Sequence, residues 1–122
     1  MRSKDDSKPI VHGTPLYMPP EQVLGRNVDG RADIYATGTV LFQMLVKELP
    51  LPAFNSKLAL LKQKLLQKDG IYLKKPSEVN PNLREDMDRI VAKALAYDPS
   101  ERYATGADFK KDLENYSRKH LP

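Results

Sequence analysis

The stretch ADIYATGTVLFQMLVKEL, residues 32–49, decides the fold, because it carries no charge between Asp33 and Lys47 in a chain that is 30% charged. It is shorter than the roughly 20 apolar residues that a bilayer span needs. Its apolar side chains lie nearly all round a helix, which is typical of a helix with neighbours on every side. β-branched residues in its middle leave a strand as the alternative. The length and the acidic start at Asp33 favour a buried central helix that ends before Pro50.

The composition is that of a single globular domain. The chain has 122 residues, of which 40% are hydrophobic, and this is enough for one packed core. Its formal charge of +4 comes from basic and acidic residues spread along the chain, so we expect no nucleic-acid partner. The absence of cysteine excludes a disulfide framework and thiolate metal sites. The first ten residues lack the apolar core of a signal peptide, so we expect a cytoplasmic protein without a membrane partner.

Two helices are predicted on either side of the central one. A short helix over about residues 21–24 opens at Pro20. A longer helix over residues 57–68 is capped by Asn55 or Ser56. Its predicted buried face is formed by apolar residues at helical spacing, Leu58, Leu61 and Leu65. We predict that its lysines are solvated.

The clearest helical period lies further along the chain, between residues 83 and 95. Its apolar stripe consists of Leu83, Met87, Ile90, Val91, Ala94 and Leu95. The preceding residues 71–81 contain prolines and are predicted as a loop. A last helix follows a capping pattern at Thr105, and one of its faces is lined by Phe109, Leu113 and Tyr116. Since no pair of strands is predicted, the architecture is mainly α.

The sequence presents no evident catalytic or metal-binding set. His12 and His120 lie near the two chain ends, so we assign neither of them a metal or general-base role. Asp86 and Asp88 are predicted to form a solvated acidic helix start. There is no glycine-rich phosphate loop of either common type. We therefore expect no metal site and no visible nucleophile–base pair.

Three separate motifs nevertheless resemble one family. Residues 13–21, GTPLYMPPE, resemble the end of a protein-kinase activation segment, G-T-x-x-Y-x-A-P-E. Residues 33–38, DIYATG, resemble the start of kinase helix F, and residues 93–103, KALAYDPSERY, resemble the segment between helices H and I. The order and spacing are similar to those of bacterial-type serine/threonine kinases. The resemblance implies a mainly α, partial kinase C-lobe built on helix F.

The resemblance also divides the chain and assigns roles to its residues. Residues 1–12 are expected to be a flexible arm left from the activation segment, residues 13–118 the partial C-lobe, and residues 119–122 a tail. The substrate-binding loop, which contacts the residue after the phosphoacceptor, would consist of Gly13, Thr14, Pro15, Tyr17 and Pro20. In the arm, the candidate phosphorylation sites are Ser3 and Ser7.

Four further residues have a structural role in the resemblance. Glu21 and Arg102 would form a buried ion pair, for which the fork of an arginine is well suited. The alternative is two ordinary surface charges. Asp33 and Gly38 would anchor helix F to neighbouring segments, whereas the alternatives are a simple N-cap and a tolerated helix glycine.

The sequence departs from the family pattern in two ways. Pro19 stands where the family has alanine. More importantly, the chain has no VAIK-type lysine, no H-R-D-x-x-x-x-N motif and no D-F-G motif, which supply ATP binding, the catalytic base and the Mg²⁺ ligands. The resemblance therefore implies the C-terminal part of a kinase, beginning inside the activation segment. ATP and magnesium would belong to the parent enzyme, and we expect no phosphoryl transfer by these residues alone.

Three interpretations follow from these observations. The first is part of a serine/threonine kinase that holds the platform for its protein or peptide substrate. The second is a non-catalytic kinase-lobe remnant that acts as a binding or regulatory module. The third, an unrelated helical bundle, fails if Glu21 and Arg102 are in contact. Because helix F would lose part of its cover, we also expect self-association, through its exposed surface or by exchange of the arm.

Overall fold

The computed structural model describes residues 15–121, and within this range every regular element is helical. The α-helices are α1 (Pro20–Val23), α2 (Gly30–Val46), α3 (Lys57–Gln67), α4 (Pro76–Val79), α5 (Glu85–Ala94) and α6 (Gly106–His120). Short 3₁₀ turns cover Pro15–Tyr17, Lys68–Gly70 and Pro99–Glu101. The predicted mainly α fold is thereby confirmed. No helix in the described part is both long enough and apolar enough to cross a bilayer.

Helix α2 is the central element, and it begins earlier than predicted. Asp29 is its N-cap and accepts a hydrogen bond from the backbone N–H of Arg31, so the predicted start at Asp33 is wrong. Asp33 lies instead in the first turn, where its negative charge interacts favourably with the helix dipole. The helix ends at Val46, because the next residue, Lys47, has a φ of 72° and so leaves the helical region.

The hydrophobic core is built around α2 by α5, α6 and the segments between them. Its buried members are Ile34, Tyr35, Phe42, Val46, Met87, Ile90, Val91, Ala94, Leu95, Tyr103, Phe109 and Tyr116. The apolar stripe predicted for α5 is confirmed, since its residues are buried, and Leu83 packs at the edge of the same cluster. Tyr103 and Phe109 stack with ring centroids 5.0 Å apart, which joins the start of α6 to this core.

Helix α3 begins at residue 57 as predicted, but its buried face is different. Ser56 is the cap, because its hydroxyl accepts a hydrogen bond from the backbone N–H of Ala59. Leu58 is 58% exposed, while Leu60, Leu61 and Lys64 are buried. The prediction that Leu58 is buried is therefore wrong, and so is the prediction that every lysine of this helix is solvated. The inward face is rotated because α3 packs against the Pro15–Tyr17 turn and α1.

The predicted loop at residues 71–81 contains the short helix α4. Pro76 opens this helix, and the Glu78 carboxylate accepts a hydrogen bond from the Lys75 backbone N–H at 2.7 Å. Asp88 on α5 accepts hydrogen bonds from both the backbone N–H and the hydroxyl of Ser77. Asp88 is thus a bonded tether between α4 and α5, which corrects its assignment as a merely solvated charge.

Helix α6 begins with the predicted cap and extends further than predicted. The Thr105 hydroxyl accepts a hydrogen bond from the backbone N–H of Asp108. The helix continues to His120, two residues into the predicted tail 119–122. The His120 ring packs on Tyr116 of the same helix, and its Nε2 makes a tertiary contact with Oδ2 of Asp86 on α5 at 2.9 Å. Asp86 is therefore a paired group as well.

Candidate functional site

The segment Pro15–Glu21 contacts α2 and α3 and contains the three described residues of the predicted substrate-binding loop, Pro15, Tyr17 and Pro20. Pro15 is buried in the 3₁₀ turn, and Pro20 is the buried first residue of α1. The half-buried Tyr17 donates a hydrogen bond from its hydroxyl to Oε1 of Gln43 on α2, at 2.6 Å. The remaining predicted loop residues, Gly13 and Thr14, lie outside the described residues, as do Ser3, Ser7, His12 and the arm.

Glu21 and Arg102 are in direct contact, although 81 residues separate them in sequence. Nη1 of Arg102 lies 2.7 Å from Oε2 of Glu21, and Nη2 lies 2.9 Å from Oε1, so the contact is bidentate. The side chains are 0% and 8% exposed, respectively. The contact is inconsistent with two ordinary surface charges, and the unrelated-bundle interpretation fails on its own criterion.

The remaining donors of Arg102 are also used. Its Nε donates to the carbonyl of Ala96, Nη1 to that of Arg31 and Nη2 to that of Tyr97. A guanidinium has five N–H donors, and here each of them has a partner. Complete pairing is what makes a buried charge tolerable, since an unpaired one carries a large desolvation penalty. Arg102 therefore joins α1, the start of α2 and the segment after α5 at one point.

Lys64 makes a second buried polar contact to the same segment. Its Nζ donates hydrogen bonds to the carbonyls of Pro15 at 2.5 Å, Leu16 at 2.9 Å and Met18 at 2.8 Å. The residue is only 1% exposed. Burial lowers the pKa of Lys64 from 10.5 to about 7, while the three carbonyl acceptors favour the charged form and oppose that shift.

The two buried cations share an aromatic neighbour. Lys64 Nζ lies 5.2 Å from the centroid of the Tyr35 ring, and Arg102 Cζ lies 4.9 Å from it. These distances are within the range of cation–π attraction. Burial is the main cause that raises the pKa of Tyr35 above its usual value, so the phenol stays neutral. Tyr35 thus connects both anchors of the segment to the centre of α2.

Gly38 and Asp33 have different environments. An added Cβ at Gly38 would lie 2.8 Å from Cβ of Ala94, so this glycine allows α2 and α5 to approach closely. Asp33 is exposed and lines a groove between α2 and α6 together with residues such as Thr37 and Lys110. The structure brings Gly38 against α5 and leaves Asp33 at the surface.

His120 takes part in a surface ion cluster. Hydrogen bonds from His120 and Lys119 lower the pKa of Asp86. Within residues 15–121 no group of three or more His, Asp or Glu side chains converges as metal ligands would.

Sequence reasoning missed Lys64 and Gln43. A signal for Lys64 was present, because it follows Leu60 and Leu61 by four and three residues and so shares their helix face. For Gln43 there was no such signal, since its role depends on a hydroxyl that lies 26 residues earlier.

Comparison with known proteins gives a consistent result. The protein kinase domain family matches residues 2–112. The tyrosine-protein kinase MasK of Myxococcus xanthus is 41% identical over 112 residues, which are 92% of this chain and 17% of that protein. The serine/threonine-protein kinase Pkn1 of Myxococcus xanthus is 38% identical over 112 residues, which are 92% of this chain and 15% of that protein. The serine/threonine-protein kinase PknB of Mycobacterium tuberculosis is 39% identical over 103 residues, which are 84% of this chain and 16% of that protein. The chain thus spans about a sixth of the length of the curated relatives it matches.

Proposed function

Since the chain belongs to the protein kinase domain family, we propose that its residues 15–21 form the substrate-side platform of a serine/threonine protein kinase. The supporting observation is that three long-range contacts hold this segment. They are made by Lys64 on α3, by Gln43 on α2 and by Arg102 after α5. A segment fixed in this way presents Tyr17 and Pro20 in one arrangement, as the selection of a peptide residue requires.

The proposed phosphoacceptor is a serine or threonine hydroxyl of a protein, and the parent enzyme would transfer the γ-phosphoryl group of ATP to it. The loop sequence Gly13-Thr14-Pro15 supports this choice, because it resembles the serine/threonine form of the family. Two of the relatives, Pkn1 and PknB, are serine/threonine-protein kinases by name, whereas MasK is named a tyrosine-protein kinase.

We further propose that these 122 residues do not transfer phosphate on their own. The sequence contains none of the motifs that bind ATP, hold magnesium or supply the catalytic base in kinases. ATP and magnesium are therefore assigned to the parent enzyme, and no catalytic step is assigned to the residues of this chain. A cytoplasmic location stays a prediction.

A peptide titration followed by NMR tests the platform. Two peptides that differ only in the residue after a serine are added to the chain. We expect different backbone shift changes at residues 16–18 for the two peptides. Tyr17→Ala should abolish the difference, while Leu121→Ala, which alters a side chain that is 56% exposed at the end of α6, should preserve it. Identical responses to both peptides at residues 16–18 would refute the platform.

A second candidate function is a binding or regulatory module, and one observation favours it. On the central helix α2, whose inner face lies in the core, Val40 is 42% exposed and Met44 is 74% exposed. Exposed apolar side chains on such an element are typical of an interface. We propose a second copy of the chain as the occupant, and the arm exchange suggested by the sequence involves residues outside the described range.

A further inference from the structure

The surroundings of the Lys64 amine match its charged form in number and in kind. An ammonium group has three N–H donors and no acceptor. The groups that it contacts at hydrogen-bond distance are three carbonyl oxygens, of Pro15, Leu16 and Met18. A neutral amine has only two N–H donors and would leave one of these carbonyls without this partner. The hydrogen-bond arrangement of the site therefore matches the lysine cation, which is the main form below the pKa of about 7.

The three carbonyls belong to a short 3₁₀ turn and the residue that follows it. The Pro15–Tyr17 turn is a single 3₁₀ turn, and the backbone N–H of Met18 reaches the Pro15 carbonyl at the long distance of 3.3 Å. Such turns have poorer hydrogen-bond geometry than an α-helix. The Pro15 carbonyl accepts hydrogen bonds from both the Met18 backbone N–H and Lys64, so the lysine holds the oxygen atom on which this turn closes.

The turn is one end of a short segment whose other end is held by Arg102. The chain runs from the turn through Pro19 and Pro20 to Glu21, where Arg102 fixes it. Lys64 fixes the opposite end of the same short segment, from a different helix. Tyr17 lies in sequence among the residues that Lys64 contacts, and its hydroxyl donates a hydrogen bond to Gln43.

We propose that Lys64 is a positioning residue for the substrate-side platform, because its ammonium group binds the carbonyls of residues 15, 16 and 18 and thereby sets the backbone conformation around Tyr17. The word "platform" rests on the function proposed above, but the positioning of the turn does not. The competing explanation is packing alone, in which the apolar stem of Lys64 fills space between α3 and α2. Packing alone requires no charge.

The test separates the charge from the packing. Lys64→Met keeps the length and apolar character of the stem and removes the cation. Lys62→Met is the matched control, because Lys62 is an exposed lysine on the same helix. The readout is hydrogen exchange at the amide of Met18, compared with the amide of Leu95, which is bonded to the Val91 carbonyl in the core. We expect exchange at Met18 to accelerate on the order of tenfold or more in Lys64→Met, with Leu95 unchanged and the control like the parent chain.

A charge rescue completes the test. The chain has no cysteine, so Lys64→Cys introduces a single thiol that can be alkylated in the unfolded chain before refolding. Alkylation to S-aminoethylcysteine restores an ammonium at lysine length, whereas carbamidomethylation adds a neutral group. We expect slow exchange at Met18 only with the aminoethyl product. Equal exchange in the two products, or unchanged exchange in Lys64→Met, would overturn the proposal.

One measurement on the parent chain keeps the proposal testable even if the variants do not fold. The buried ammonium should give a proton–nitrogen NMR signal that is protected from solvent exchange. Its absence at pH 6 would overturn the proposal. A chain that has the protected ammonium and the ordered turn, but shows the same response to both serine peptides, would support the role of Lys64 in the turn and refute the platform.

Discussion

Replacing Arg102 by methionine tests the buried ion pair. Methionine fills a similar volume but carries no charge, so it cannot neutralise Glu21. The Glu21 side chain is 8% exposed, and its carboxylate accepts two hydrogen bonds from the Arg102 guanidinium. The substitution also removes the N–H donors from the carbonyls of Ala96, Arg31 and Tyr97. Stranding one charge of a buried pair costs about 3–5 kcal/mol. We therefore expect Arg102→Met to lower the free energy of unfolding by about that amount.

A substitution of the other partner, Glu21, should lower the free energy of unfolding by less, because of the hydrogen bonds that Arg102 keeps. In Glu21→Gln the guanidinium keeps its three backbone acceptors, and an amide oxygen still accepts one of the two former bonds. The loss should then be about 1.5–3 kcal/mol, the range for hydrogen bonds to a charged group. The double variant with Arg102→Met and Glu21→Leu leaves no buried charge at this position, so it should be more stable than Arg102→Met alone.

Urea unfolding at pH 7, followed by circular dichroism, measures these differences. Arg89→Met is the matched control, because it breaks an ion pair with Asp112 in which the arginine side chain is 57% exposed. Exposed pairs contribute at most about 1 kcal/mol. A loss in Arg102→Met that is no larger than that in Arg89→Met would refute the reasoning. So would a double variant that is less stable than Arg102→Met alone.

Three further predictions concern other parts of the fold. Gly38→Ala should destabilise the chain by about 1 kcal/mol in urea unfolding, because the clash with Ala94 at 2.8 Å outweighs the gain in helix propensity, whereas Gly106→Ala, with open space around it, should be neutral or stabilising. For Lys64, burial lowers the folded pKa below the unfolded 10.5, so its contribution to the free energy of unfolding should fall as the pH falls from 10.5 towards 7, and the three carbonyl hydrogen bonds should limit that fall. The difference between the parent chain and Lys64→Met isolates this slope, and a difference that is independent of pH would contradict it. Met44→Glu should lower the mass found by light scattering at high concentration if α2 forms the self-association surface, and a monomeric parent chain would rule that surface out.

The sequence predicted the elements whose signals are local. The stripe from Leu83 to Leu95 repeats at helical spacing and corresponds to α5, and the charge-free run corresponds to α2. Ser56 and Thr105 were recognisable as caps because a cap acts within three residues. Gly38 was singled out through the family motif, and the structure supplies the reason for a glycine there, namely contact with Ala94.

Features that depend on distant residues escaped prediction. Lys64 shares a helix face with Leu60 and Leu61, but a lysine is usually solvated, and the three carbonyls that pair its buried amine lie in the distant Pro15–Met18 segment. Helix α4 consists of four residues and depends on Asp88, which belongs to another helix. The start of α2 was misplaced because both Asp29 and Asp33 are plausible caps in sequence, and only backbone geometry distinguishes them.

The central claim is that these residues carry the substrate side of a kinase without its phosphoryl-transfer chemistry. The most direct measurement incubates the chain with Mg²⁺, ATP labelled at the γ-phosphate and a generic basic protein. The claim predicts that incorporation of label does not exceed that of a control without the chain. Incorporation above that control, increasing in proportion to the amount of chain added, would contradict it.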